Sequence, residues 1–560
     1  MKLKNILLSI TIGASLTSCG FLEVDPQVIC SDTFYNTQEE ALYGLAGVYG
    51  VMSNEAFYGN YYSLICSNLD DLCYFNRSTT ANYTNMYKHD ASATEIYDAW
   101  TEMYKGIRNA NAFMEAITET QFDQDGKLYN EARFLRAYYH FLLAQAWGDV
   151  PLRTKAVTNH DEVMCAASPQ FEVLSWAAEE MEACIRLAGE DLAQSPSRIN
   201  KYIVHGILAR TYLFMAGESV KGGNKSEFYQ KAMQHTEKII SSGKFQLNPE
   251  YSQVFINMIS DKYDRDYYES MWEVDFMGHR ASADSWSNGR IGDLIGLQSS
   301  AGKEYSTFLC NYAYGQYDGS LKLWDLYWTV DRTSDEMSLP TVTDKRQEWN
   351  MPPYNYAGCK NDTLQISIPA SIAKAPYIYA GTTTFDNPIT AQAIRNCGKW
   401  RREVEYEELM DSKRLYTGIN YPLLRYSDVL LMYAEASLEY NKTVSLEAYE
   451  CVKSVRDRAA VKTNDFSTYD VDSFRELVRN ERGRELCFEG IRKYDLIRWG
   501  IFVETMNGYV KAATDKRWSR SAKASYAAAI GRAVQPKHIV LPVPAVELGV
   551  NNLLVQNPLW

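Results

Sequence analysis

Apolar residues recur every three or four positions over long stretches at both ends of this chain, and between them the period is lost. The clearest stretch is 130–147, where Ala132, Leu135, Tyr139, Leu142 and Leu143 form a stripe that predicts a helix lying on a core. Gly148 ends it and Pro151 prevents its continuation. Stretches 39–52 and 94–117 read the same way, with Gly44, Ala46, Gly47, Ala110 and Ala112 leaving room for close packing. In 200–216, Ile203, Ile207, Leu208, Tyr212 and Met215 share one side, and Gly217 is expected as a left-handed closing residue. Stretch 229–240 follows as an antiparallel partner, with Gly206, Ala209 and Ala232 at the expected contact. The same plan returns at 426–440 with 448–459. Ser473-Phe474-Arg475-Glu476 predicts a capping box opening a helix to about Cys487, and another helix begins near Arg492. At the far end, 539–543 reads as a short strand and Pro544 as the opening of a last helical turn.

Helix pairs that each bury a face on the next, in the manner of tetratricopeptide arrays, predict a mainly α scaffold of about four pairs over 39–247 and 421–560. Residues 248–420 are crowded with Gly, Asn, Asp, Ser and aromatics, and strand-like pieces such as 270–274 appear. That stretch is expected to form an irregular, loop-rich lobe, and loops held by a rigid frame are where binding function tends to sit.

The first residues bear on the compartment. Lys2 and Lys4 precede an apolar run from Ile6 to Leu16, the size of a signal-peptide core and too short to span a bilayer. Leu16-Thr17-Ser18-Cys19 has the pattern of a lipobox, so residues 1–18 are expected to be removed as a lipoprotein signal peptide and Cys19 to carry lipid, leaving 19–560 as the folded domain. Without Lys2 and Lys4 there are 55 basic against 70 acidic residues, a net charge of −15. Such a chain is a poor partner for nucleic acid or for anionic lipid, so the acyl chains must hold it at the membrane, at about 0.8 kcal/mol per buried methylene. The 11 cysteines contain no CxxC pair, which argues against a zinc ribbon or redox motif, while a Cys66–Cys73 bridge is compatible with an exported protein. The seven histidines are scattered singly, and His140 and His205 fall in helical stretches as core or surface residues rather than metal ligands. No HExxH, GxSxG, Walker loop or dinucleotide fingerprint is present.

Four separated segments resemble the SusD/RagB family. They are 131–137 running on to Trp147-Gly148-Asp149-Val150-Pro151-Leu152; Tyr421-Pro422-Leu423-Leu424-Arg425-Tyr426 with the helix to Ala436; 455–459 joined to 481–500, which closes on Tyr494-Asp495-Leu496-Ile497-Arg498-Trp499-Gly500; and Leu541-Pro542-Val543-Pro544 with Gln556-Asn557-Pro558-Leu559-Trp560. With the lipobox they span the chain in the family's order. The resemblance implies a tetratricopeptide-like scaffold with an irregular lobe, no catalysis and no cofactor. It also implies a lipid-anchored, surface-exposed protein of the outer membrane that captures a glycan or oligosaccharide and delivers it to a SusC-like TonB-dependent transporter. Within these motifs Arg133, Arg136, Arg425, Arg456, Arg458, Arg482 and Arg484 stand in apolar surroundings near Glu131, Asp428, Glu435, Glu481 and Glu485. Guanidinium heads paired with carboxylates make them structural rather than ligand-binding.

Ligand candidates come from elsewhere. A sugar offers a C–H-rich face to an aromatic ring and hydroxyl edges to polar side chains, so both types should converge. Leu321, Trp324, Tyr327 and Trp328 follow helical spacing and read as core. Tyr312, Tyr314 and Tyr317 alternate with small or polar residues in a loop and are the better platform, as is Trp286 in its turn-prone setting. After the acidic pair Asp70-Asp71, the resemblance carries over Tyr74, Asn76 and Arg77 as members of the site. Two alternatives stay open: a peptide-binding member of the same family, and a glycoside hydrolase, which needs a pair of carboxylates about 5–10 Å apart.

Overall fold

The computed structural model describes residues 35–77, 84–157, 159, 162–192, 195–277, 287, 289–299, 312–327, 344–352, 354–360, 363–367, 395–405, 416–515 and 522–560. Cys19 and Trp286 lie outside them.

Helix α1 (Gln38–Tyr49) leads through short tight and wide helical turns to β1 (Cys73–Phe75). Then follow α2 (Thr94–Ile117), α3 (Lys127–Trp147), α4 (Gln170–Cys184), α5 (Lys201–Met215) and α6 (Lys225–Ile240). The central region supplies α7 (Tyr251–Ile259), β2 (Ser270–Val274), β3 (Tyr317–Gly319), α8 (Leu321–Tyr327), α9 (Lys345–Asn350), β4 (Asn355–Lys360), β5 (Thr363–Ser367) and β6 (Arg395–Asn396). Strand β7 (Tyr421–Arg425) runs straight into α10 (Tyr426–Asn441). After it come α11 (Leu446–Arg458), α12 (Val471–Leu486), α13 (Arg492–Arg498), α14 (Phe502–Ala512), α15 (Ala522–Ala533) and α16 (Ala545–Val550).

The fold is mainly α. Helices α1 to α6 pack each on the next, α6 packs on α10, and α10 on α11. Taken two at a time these eight helices make four pairs, with the chain leaving the stack after Ile240 and rejoining it at Tyr426. Helix α3 lies at the centre, and every residue from Phe134 to Trp147 is buried. Its predicted stripe therefore understates its burial, because neighbours cover it on all sides. Gly148 ends α3 at φ 82°, a conformation that favours glycine.

Four local expectations are corrected. Gly217 has no left-handed backbone; it is needed because a Cβ there would lie 2.6 Å from Arg498 Cβ and 2.8 Å from the Arg498 carbonyl oxygen. Gly206 makes room for Leu424 of β7 rather than for α6. The cap of α12 is Asp470, not Ser473: the Asp470 carboxylate accepts from the Ser473 amide at 2.8 Å, and the Ser473 hydroxyl accepts from the Asp470 amide at 3.0 Å. Segment 539–543 is not a strand, since Pro542 and Pro544 lack the amides a ladder needs. Instead the Leu541 amide donates to Ala146, and the Gln556 side chain pairs with both backbone groups of Val543 at 2.9 Å. Cys66 and Cys73 are separate buried thiols, so no bridge joins them. Cys73 Sγ lies 3.9 Å from Cys397 Sγ.

An ionic seam fastens the central region to the helices. Arg425, 1% exposed, reaches Glu269 at 2.9 Å, Glu485 at 3.0 Å and Glu489 at 2.8 Å. Arg458 joins Glu269 and Glu485, Arg346 joins Asp344, Glu481 and Glu485, and Lys399 joins Glu489. Farther along, Arg482 bridges Asp428 and Asp495, and Arg210 takes the second oxygen of Asp428. Burial alone would raise Asp428, but Arg482 and Arg210 together hold its carboxyl at about 2. Arg133 and Arg136 clasp Glu180 between α3 and α4. Strand β2 pairs antiparallel with β7, adding a backbone tie between the same two parts. Among the described residues no helix is long and apolar enough to cross a membrane.

Candidate functional site

A small antiparallel sheet of order β1-β3-β6 brings the early loop and the aromatic-rich segment together. Phe75 pairs with Tyr317, Tyr74 with Asp318, and Asp318 in turn with Asn396. The fully buried Asp318 carboxylate organises the sheet. It accepts from Asn76 Nδ2 and Asn396 Nδ2, each at 2.7 Å, from the Tyr74 hydroxyl at 3.3 Å, and from Lys523 of α15 at 2.8 Å. A buried carboxylate is tolerable when a cation and several donors surround it in this way.

This arrangement positions the loop 312–316. Asn76 and Asn396 both donate to the Gly315 carbonyl, at 2.9 and 3.2 Å, and the Asn76 amide donates to Gln316 at 2.8 Å. Gly315 has φ 52°, and a Cβ on it would lie 2.8 Å from the Gln298 nitrogen, so only glycine fits without a shift. Ala313 exchanges both backbone hydrogen bonds with Ser299 and is buried. Its neighbours therefore face away from the core: Tyr312 is half-buried and Tyr314 is 36% exposed. Their rings meet edge to face, 5.0 Å apart at 88°. Beside them Arg77, half-buried, donates to the Tyr314 carbonyl at 2.6 Å.

A second set of side chains completes the wall. The Arg402 guanidinium donates to the carbonyls of Tyr312 at 2.7 Å and Tyr416 at 3.2 Å, while Glu405 balances its charge at 2.7 Å. Tyr416 is thereby held alongside Tyr312. Arg290 lies over the Tyr416 ring at 5.9 Å and pairs with Asp293 at 2.7 Å and Glu55 at 3.4 Å. Burial pushes the Asp293 carboxyl up, and Arg290 opposes that shift. Of this second set Tyr416, Arg290 and Glu55 are half-buried, whereas Arg402, Glu405 and Asp293 are buried and hold the backbone from beneath. Among the described residues no group of three or more His, Cys, Asp or Glu side chains could hold a metal ion.

The residues singled out from the sequence divide sharply. Tyr312, Tyr314 and Arg77 meet at the surface. Tyr74 and Tyr317 are 0% and 1% exposed, so neither ring offers a face to a ligand, and Asn76 is buried with its Nδ2 donating to Gly315 and Asp318. These three brace the loop from beneath. Tyr416, Arg290, Glu55 and Asp318 escaped sequence reasoning, because no spacing or composition marks Tyr416 as a neighbour of a residue about a hundred positions earlier.

Comparison with known proteins agrees with the architecture. The SusD family matches residues 268–560, and a second family, described as starch-binding associating with outer membrane, matches residues 20–213. SusD-like protein P25 of Formosa agariphila is 24% identical over 586 residues, covering 100% of this chain and 98% of its own. A SusD homolog from Bacteroides thetaiotaomicron superposes with a TM-score of 0.80 at 25% identity, over 95% of this chain and 98% of that one. Surface glycan-binding protein A from the same species has a TM-score of 0.67 at 18% identity, over 94% and 100%. This chain belongs to the SusD family.

Proposed function

We propose that this protein is a non-catalytic, lipid-anchored glycan-binding protein of the outer-membrane surface. It captures an oligosaccharide and passes it to a SusC-like TonB-dependent transporter. The observation that carries this reading is the edge-to-face pair of half-buried Tyr312 and exposed Tyr314, braced from beneath, with Arg77 held against the Tyr314 carbonyl. Edge-to-face rings at a surface present one flat face to a sugar's C–H side, and the guanidinium groups suit its hydroxyls. A relative of the same fold is itself a surface glycan-binding protein. Tyr312, Tyr314 and Arg77 form the contact set together with Trp286, retained on its sequence setting; Tyr74, Asn76 and Tyr317 brace the loop that carries Tyr312 and Tyr314.

The test is an affinity screen of the soluble protein against neutral and charged oligosaccharides and against oligopeptides. One glycan class is expected to bind and to be recovered uncleaved after prolonged incubation. Binding to oligopeptides alone would assign the protein to peptide uptake, and shortened oligosaccharides would make it a hydrolase.

A further inference from the structure

A cavity of about 570 Å³ opens on the helical scaffold, between α2, the segment that follows α3, and α16 with the tail beyond it. It is within the size range of small-molecule sites. Its apolar lining includes Ile107, Val157, Val163, Val550 and Leu554. Val157, Val163 and Val550 stand 45%, 53% and 65% exposed, an aliphatic surface that water covers at a cost.

The polar lining decides what such a groove can hold. Its neutral groups are almost all engaged. The Tyr104 hydroxyl donates to Pro151 at 2.8 Å. The Asn111 amide donates to the carbonyls of Arg153 and Lys155, at 3.1 and 3.0 Å, and accepts from Arg136 at 2.8 Å. The Asn551 side chain donates to Cys165 at 2.8 Å and accepts from the Leu553 amide. The exceptions are the Thr101 hydroxyl and the Trp100 indole N–H. A sugar would find few partners for its hydroxyls here.

What remains is cationic. Lys105 pairs with Glu102, and Arg153 is tied to the carbonyls of Glu162 and Val163, but Arg108 and Lys155 are exposed and have no ion-pair partner among the described residues. Among the described residues Glu547 is the one carboxylate in the lining; burial pushes its carboxyl up, and Arg153 opposes that shift. Four basic side chains around one groove stand out on a chain of net charge −13. Anions are drawn to such a local basin whatever the overall charge.

We propose that this groove is a second binding site, for a single-chain anionic amphiphile: an alkyl chain lies along the aliphatic wall and its carboxylate reaches Arg108 and Lys155. This site stands independently of the aromatic platform and of the glycan reading.

Calorimetric titration of the full chain carrying Cys19→Ser, which cannot be acylated, with octanoate, decanoate and dodecanoate below their micelle concentrations tests it. Each added methylene should tighten binding about fourfold, the equivalent of about 0.8 kcal/mol. Dodecanol should bind at least tenfold more weakly than dodecanoate. The double variant Arg108→Glu, Lys155→Glu should weaken dodecanoate at least tenfold without lowering the melting temperature, and Val550→Asp should weaken it from the apolar side. Equal affinity for dodecanol, no dependence on chain length, or indifference to the charge reversal would each overturn the proposal. So would binding to phosphatidylglycerol vesicles with none to dissolved carboxylates.

Discussion

Tyr314 and Tyr317 stand three positions apart in one aromatic-rich segment, yet the backbone sends the first outward and the second into the core. Composition groups them together; what separates them is the register of Ala313 against Ser299 and of Tyr317 against Phe75. Their substitutions should therefore differ in kind. Tyr314→Ala removes a partly exposed ring and should leave stability within about 0.5 kcal/mol. Tyr317→Ala empties a buried site and should cost about 3–5 kcal/mol, read by denaturant unfolding. Asp70 makes a second prediction at this scale. Burial and the adjacent Asp71 raise its carboxyl to about 8, so the folded state holds a proton that the unfolded chain gives up above its ordinary value of 3.8. Its contribution is complete below that ordinary value and is lost as pH rises toward 8, with a slope of up to about 1.4 kcal/mol per pH unit. Asp70→Asn keeps the acceptor for the Leu72 amide and should flatten stability between pH 4 and 8. An unchanged slope would remove Asp70 as its source.

Among the elements, long helices with apolar stripes were legible in the sequence and short motifs were not. Residues 94–117 form a helix over the predicted span, because 24 residues of consistent period leave no alternative way to bury that face. The cap of α12 lies three residues before the one the sequence predicts, since Asp470 and Ser473 are both competent caps and the carboxylate accepts the more strongly. Asp470→Ala should cost about 1 kcal/mol, whereas Glu476→Ala, expected from the sequence to matter equally, should cost almost nothing. Gly217 stands where the sequence predicts a left-handed closing residue, but it serves close approach. Gly217→Ala should destabilise by about 1–3 kcal/mol through the Arg498 backbone, and a neutral outcome would show that α13 can move aside.

In the whole molecule, the arginine-rich motifs carry the architecture. Their pairing with carboxylates was foreseeable from side-chain chemistry. That the partners include Glu269, and that Arg346 and Lys399 join from the other side, was not, because these pairs link residues 90 to 189 positions apart. Arg425→Ala would leave Glu269, Glu485 and Glu489 without their shared cation and should cost about 3–5 kcal/mol in equilibrium unfolding. The surface site shows the same limit. Tyr312, Tyr314 and Arg77 could be proposed from local setting, but Tyr416 and Arg290 reach it only through the folded chain.

The most direct test of glycan capture at this platform is titration of the bound oligosaccharide into the wild-type protein, Tyr314→Ala and Arg77→Ala, with melting temperatures measured alongside. Each substitution is predicted to weaken binding about tenfold, close to 1.4 kcal/mol, at unchanged melting temperature. Full affinity in both variants would contradict the account and place the ligand elsewhere on the molecule.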